Sequence, residues 1–234
     1  MKGNYTYVWV SLVILVFGII FIPRIIDRVK DGNVVDGDRH KIGKEHKGAG
    51  AEELVIVGEV PPFAFTDQNN KKITNNDYKG KVYLIEFFFT TCPTICPVMN
   101  KNMVKIQDAF RDNPKFGIAS ITINPENDTP EVLKAYAEKY GAEHPNWHFL
   151  TGDQDEIYQL ANNGFNLYAG VNPEVDGGFE HSGMFALVDE KGNIRSRTDK
   201  FGNPLVYYNG LEQEGIDMLK EDIATLLGHL NESL

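Results

Sequence analysis

Cys92 and Cys96 are the two cysteines of this 234-residue chain, four residues apart in the run Phe-Phe-Phe-Thr-Thr-Cys-Pro-Thr-Ile-Cys-Pro. A pair of thiols can do two kinds of work. As thiolates they ligate a soft metal ion, or they attack a disulfide. Two cysteines are too few for a disulfide scaffold, so the pair is reactive, metal-binding or one bridge. The apolar stretch Val82 to Phe89 leads into it, and a helix-like segment from Pro97 to Phe110 follows. That places the thiols beyond the carboxyl end of a strand and at the start of a helix, where α/β sheets keep their chemistry. The positive end of a helix lowers a thiol's pKa, and i, i+4 spacing puts both sulfurs on one helical face.

A metal reading needs further donors. Zinc in a structural site takes four ligands, whereas soft thiolates in low number select Cu(I). The third donor is sought among the histidines, and His181 is the candidate. It stands in Gly-Gly-Phe-Glu-His-Ser-Gly-Met, just before the expected strand Met184–Val188, where a loop can carry its imidazole to the cysteines. His148 falls in a short strand and reads as structural, and neither His144 nor His229 has a comparable place. The redox reading makes Cys92 and Cys96 a dithiol couple with three intervening residues, where the thioredoxin couple has two. A peroxidase would need a threonine three positions before the reactive cysteine, and that position is Phe89. A purely structural disulfide is disfavoured, because cysteines followed by prolines at a strand–helix turn cross-link a fold poorly.

The elements that must hold these residues alternate. Residues 63–66 and 71–74 read as a hairpin across a polar turn, and 76–80 as a short helical turn. Residues 82–89 and 116–124 read as buried strands. Thr129-Pro130-Glu131 opens a helix capped by Thr129, with Val132, Leu133, Tyr136 and Tyr140 as its apolar face. A strand is expected over 147–150 and a helix over 155–162, ended by Asn163-Gly164. A hairpin turns at Asp189-Glu190-Lys191-Gly192-Asn193, and an amphipathic helix over 211–230 closes the chain. Strands alternating with helices and one late hairpin describe an α/β, thioredoxin-like sandwich with added β-hairpins.

The chain carries 33 acidic against 23 basic side chains, a formal net charge of -10. With no basic stripe, that balance argues against nucleic acid as a partner. The N-terminal 26 residues are different in kind. From Tyr5 to Ile22 the chain is almost continuously apolar, with Tyr5, Tyr7 and Trp9 at one end, as expected of a single transmembrane helix with an aromatic interface. A cleaved signal peptide would have a more basic start than Lys2 and small residues where Phe21-Ile22-Pro23-Arg24 stands. Residues 27–53, rich in Gly, Asp, Lys and His and including His40 and His46, read as a solvated tether. The expected organisation is therefore an anchor (1–26), a tether (27–53) and a folded domain (54–234).

The chain resembles the Sco/SenC family of membrane-anchored copper chaperones for cytochrome c oxidase assembly. The resemblance is carried by the Phe-Phe-Phe-Thr-Thr-Cys-Pro-Thr-Ile-Cys-Pro run, by Asn-Pro-Glu-Asn-Asp-Thr-Pro-Glu-Val-Leu-Lys-Ala-Tyr from Asn124, by Trp147 to Gly152 and by Glu180-His181-Ser182. It spans roughly residues 58–228. It implies a thioredoxin-like fold, copper as Cu(I) and also Cu(II) held by Cys92, Cys96 and His181, and delivery to the oxidase subunit that carries the binuclear copper centre. Another copper donor or a thiol reductant is implied as a further partner. It also implies a single-pass protein of the bacterial cytoplasmic membrane, its domain facing the periplasm or cell exterior. Arg24, Arg28 and Lys30 after the apolar segment would by the positive-inside rule keep the domain in the cytoplasm; the reading follows the copper chemistry. Two positions depart from the family pattern, Asn124 and Glu180, where Asp is usual. Glu180 keeps its charge and is expected to orient His181, as outer-shell carboxylates do. Two other functions stay open: a thiol–disulfide oxidoreductase acting on an oxidase subunit or another exported copper protein, and a copper or redox sensor. His181 separates the carrier from the reductase, which has no need of it.

Overall fold

A computed structural model describes residues 54–175 and 177–232, with 9–12, 15 and 17 of the N-terminal segment. Those six N-terminal residues are helical, and Trp9, Val10, Leu12, Leu15 and Phe17 among them are exposed. The rest of the expected anchor and the tether lie outside the described residues. Among the described residues no helix is long and apolar enough to cross a membrane. The chain divides into two units, 1–46 and 47–234, and the second contains all the strands described below.

Strands β4 (Val82–Phe88) and β5 (Phe116–Thr122) are buried at every residue and pair in parallel. Continuous burial explains their composition, since a strand covered on both faces has no position for a solvated side chain. Strand β6 (Trp147–Thr151) joins β5 in parallel. The helices between them are α1 (Cys96–Ala109) and α2 (Pro130–Tyr140). Antiparallel strands extend both sides of this centre. On one side are β9 (Met184–Val188), β10 (Asn193–Ser196) and β1 (Val55–Glu59); on the other, β2 (Ala64–Asp67) and β3 (Lys72–Thr74). The order is β1-β10-β9-β4-β5-β6-β2-β3, with β11 (Tyr208–Asn209) pairing β9. Helix α3 (Gln154–Gln159) and the two-stranded pair β7 (Ala169–Val171) and β8 (Phe179–His181) complete the sequence before the closing α4 (Gln213–Glu232). The α/β thioredoxin-like arrangement and its added hairpins agree with the expectation.

Local chemistry sets the boundaries. Thr129 caps α2 through its side chain, Pro130 fills the first turn and Gly141 ends it in the left-handed conformation at φ 71°. Helix α4 buries Ile216, Leu219, Ile223, Leu226 and Leu227, a stripe at helical spacing. Its buried Asp222 accepts from Arg197 Nε and Nη2 at 2.9 and 2.8 Å and from Tyr208 Oη at 2.6 Å, fastening the helix to the last strands.

Three expectations need correction. Val132 is exposed, and Leu133, Tyr136 and Ala137 form the buried face of α2. The helix expected over 155–162 is α-helical only to Gln159, after which residues 160–164 widen into a π turn. Strand β1 was not foreseen, because Gly58 and a register shift between Ile56 and Gly58 break its alternation.

Candidate metal site

The cysteine loop begins where β4 ends. Phe89 to Ile95 cross from strand to helix, and Cys96 is the first residue of α1, with Pro97 directly after it. Cys92 therefore lies in the loop and not on the helix, contrary to the single-face expectation. The helix starts only at Cys96, with Pro97 in its first turn, where a missing amide hydrogen costs nothing. The loop bends back instead, its Cys92 amide bonding the Phe89 carbonyl at 3.3 Å. Asp128, wholly buried at the start of the α2 region, fixes the same loop from the side. It accepts from the Thr90 amide at 3.0 Å and from the hydroxyls of Thr90 and Thr122, with Asn127 Nδ2 at 2.8 Å as its fourth donor.

His181 arrives from β8, three positions before β9 begins. Its ring stands edge-on to Phe89, centroids 5.6 Å apart, and Phe89 packs in turn against Phe179. Nδ1 lies 3.1 Å from the Ser182 carbonyl. A carbonyl can only accept, so the ring hydrogen sits on Nδ1 and the Nε2 lone pair is left for the site. Nε2 is 3.1 Å from Cys96 Sγ. Glu180 does not orient His181 as expected: neighbours on a strand point to opposite faces, and its Oε2 takes Asn172 Nδ2 at 3.1 Å. Ser182 does that work with its backbone, which no side-chain pattern announces.

The donor atoms of Cys92, Cys96 and His181 all lie within 4.8 Å of one another. Three donors spread around one ion at bonds of about 2.3 Å stand about 4.0 Å apart, so a shift of under about 1 Å would let one ion meet all three. Both cysteines are reduced. Cys96 is fully buried while Cys92 retains 7 % exposure, at the edge of an open cleft of about 440 Å³ lined by Phe89, Thr94, Ile95, Glu174, Phe179 and Glu180 among others.

The two thiols are split electrostatically. Cys92 is held well below its ordinary value, chiefly by a hydrogen bond from Cys96, against the opposing effect of burial. Cys96 is pushed up by sharing its hydrogen with Cys92 and by burial. The helix start thus does not acidify both thiols; one is the standing thiolate and the other keeps the proton.

Gly177 was missed by sequence reasoning. At φ 92°, it lies so close to the loop that a Cβ would meet Phe89 Cε2 at 3.0 Å and Pro93 Cδ at 3.1 Å. Only glycine permits this approach without strain. The Gly177-Gly178 pair was the available signal. The remaining histidines lie elsewhere: His144 packs edge-on to Phe116, and the β6 residue His148 pairs with Asp67 at 3.1 Å. The His229 side chain lies outside the described residues. Asn124 acts through its backbone, its carbonyl accepting the amides of Asn127 and Asp128.

Comparison with known proteins follows the same outline. The SCO1/SenC family pattern matches residues 57–214. A SCO1 protein homolog of Bacillus subtilis (strain 168) is 35% identical over 167 residues, 70% of this chain and 81% of its own. Among solved structures, BsSco, described with a disulfide switch and as a member of the Sco family of cytochrome c oxidase assembly proteins, aligns with a TM-score of 0.60 at 32% identity, over 74% of this chain and 95% of its own. ScoI of Bradyrhizobium japonicum, solved with copper bound, aligns with a TM-score of 0.54 at 30% identity, over 69% and 98%.

Proposed function

This chain belongs to the SCO1/SenC family, and from that premise we propose that it is a copper carrier for cytochrome c oxidase assembly. In this reading Cys92, Cys96 and His181 hold the copper ion, and the acceptor is the oxidase subunit with the binuclear copper centre. The observation that supports it most is the convergence of two sulfurs and one imidazole lone pair within 4.8 Å at an open cleft. Two thiolates and one nitrogen make a site of low coordination, suited to soft Cu(I) and, through the nitrogen, to Cu(II). An acceptor's ligands can enter from the cleft side beside Cys92 and replace the carrier's one at a time. Residues 1–26 act as the membrane anchor, 27–53 as tether and 54–234 as the copper-binding domain outside the cytoplasm. Labelling of Cys92 in intact cells checks the side, and labelling only after lysis would reverse it.

Metal analysis of the reduced protein tests the carrier. One copper per chain is expected, lost in Cys92→Ser and in Cys96→Ser because serine oxygen does not replace a soft ligand. Full binding by either variant would remove the proposal. The split between a standing thiolate and a buried thiol favours a second reading, a dithiol reductase in which Cys92 attacks and Cys96 resolves. His181→Ala separates the two. A carrier loses Cu(II) strongly, Cu(I) less, and oxidase activity in the cell with them. Normal oxidase in His181→Ala with failure in the cysteine variants would favour the reductase.

A further inference from the structure

Glu86 is the one charged-type residue of β4, six positions before Cys92 on the strand that delivers the cysteine loop. It is fully buried. Its Oε1 accepts the Ser120 hydroxyl at 2.6 Å, and Ser120 Oγ in turn accepts Trp147 Nε1 at 2.9 Å. The chain of donors runs one way, from indole to hydroxyl to carboxyl, and is polarised to receive negative charge. Oε2 has no hydrogen-bond partner among the described residues. The other orphaned buried side-chain oxygen among them is Asn100 Oδ1, one turn beyond Cys96; Asn100 Nδ2 is spent on the Cys96 carbonyl and the Tyr136 hydroxyl. A buried carboxyl with one donor is expensive to ionise, and a fold has little structural use for it.

We propose that Glu86 is a buried charge behind the cysteine pair that biases the pair toward its less negative states, the disulfide and Cu(II). The inference deepens the site reading above and rests on it only for the identity of the cysteines. The reduced pair, one thiolate and one thiol, carries one negative charge, and so does Cu(I) held by two thiolates. The disulfide and the Cu(II) form with two thiolates carry none. A charged Glu86 therefore opposes the first two and leaves the others unopposed. With an external disulfide as oxidant the exchange balances. The Cys92 thiolate attacks one external sulfur, the external S–S bond breaks and one thiolate leaves. Cys96 then forms the S–S bond to Cys92 and expels the second external sulfur, which takes the Cys96 proton; two electrons pass to the external couple.

Glu86 itself titrates near neutrality, because burial lifts it to about 7 against the lowering effect of Ser120. The titratable groups it acts on are the Cys96 thiol of α1 and the Tyr136 hydroxyl of α2, both raised by it. Ser120 of β5 and Trp147 of β6 carry no charge, β9 offers only Met-Phe-Ala-Leu-Val, and Asp222 of α4 is already engaged by Arg197 and Tyr208. The bias therefore disappears below about pH 6 and is complete above about pH 8.

The test is a copper-free thiol redox titration of the detergent-solubilised full chain against a dithiol buffer at pH 6 and pH 8.5. Glu86→Gln should match wild type at pH 6 and be harder to oxidise at pH 8.5, by roughly tenfold in the equilibrium constant, ~30 mV for a two-electron couple. Glu86→Asp should keep the pH dependence. Ser120→Ala should move the break to higher pH, which guards against a Gln variant that fails to fold. An equal offset at both pH values, or none, overturns the proposal. Because copper is absent, failure of the metal site would leave this result readable, and the reverse also holds.

Discussion

Glu86 and Asp128 are both carboxyl side chains at 0 % exposure close to the cysteine loop, and the fold treats them in opposite ways. Asp128 accepts four donors from three residues. Glu86 accepts one, and its second oxygen faces no donor among the described residues. The first pattern is a fastening: removing the charge-bearing oxygens strands the donors gathered around them. The second is a charge held at a cost and left free to act on its surroundings. Burial alone says nothing about which role a carboxyl has; the donor count does.

The sharpest way to break this comparison is Asp128→Ala. At least the Thr90 amide and the buried Thr122 hydroxyl lose their acceptor, each costing about 1–3 kcal/mol, so a loss on the order of 4 kcal/mol is expected in denaturant unfolding. A loss under about 1 kcal/mol would mean that the four bonds are incidental to the loop.

Glu86→Gln should behave in the opposite sense. The ordinary carboxyl value is 4.5 and the folded value about 7. A raised carboxyl carries no penalty below its unfolded value; the penalty grows from there and is complete above the folded one. The span of about 2.5 units corresponds to about 3 kcal/mol. Relative to wild type, the Gln variant should therefore gain about 3 kcal/mol between pH 4.5 and pH 8.5. A flat difference across that range would show that Glu86 ionises in the folded protein as it does in the unfolded chain, with no penalty from burial.

Neither role was legible in the sequence, for different reasons. Apart from the adjacent Asn127, the partners of Asp128 lie 38 and 6 residues away, and no short-range rule brings them to it. Glu86 did leave a trace: an acidic residue inside Val-Tyr-Leu-Ile-Glu-Phe-Phe, a run too apolar to have a solvated face. What could be read were features set by short-range rules. The Thr129-Pro130 start of α2, the hairpin turns and the continuous strands β4 and β5 follow from capping, turn chemistry and burial. The Cys92, Cys96 and His181 set was legible because few residue types can act as soft ligands. The start of α1 that leaves Cys92 in the loop was written in Pro97. The close approach at Gly177 and the Ser182 carbonyl that fixes the His181 tautomer depend on packing between distant segments, and spacing carries no record of them.

Thr90→Ala gives the smallest effect and the finest discrimination. The Thr90 hydroxyl donates to Asp128 and receives Asn127 Nδ2 at 3.3 Å, while the Thr90 amide keeps its own bond to Asp128 at 3.0 Å. One of the fastening's four donors goes and three remain, so stability should fall by about 1 kcal/mol. The substituted position is two residues from Cys92, and a looser loop should expose that sulfur more often. Alkylation of Cys92 is expected to quicken modestly as a result. Unchanged stability together with an alkylation rate equal to wild type would mean that the Thr90 hydroxyl does not hold the loop, and the division between fastening and charge store would fail.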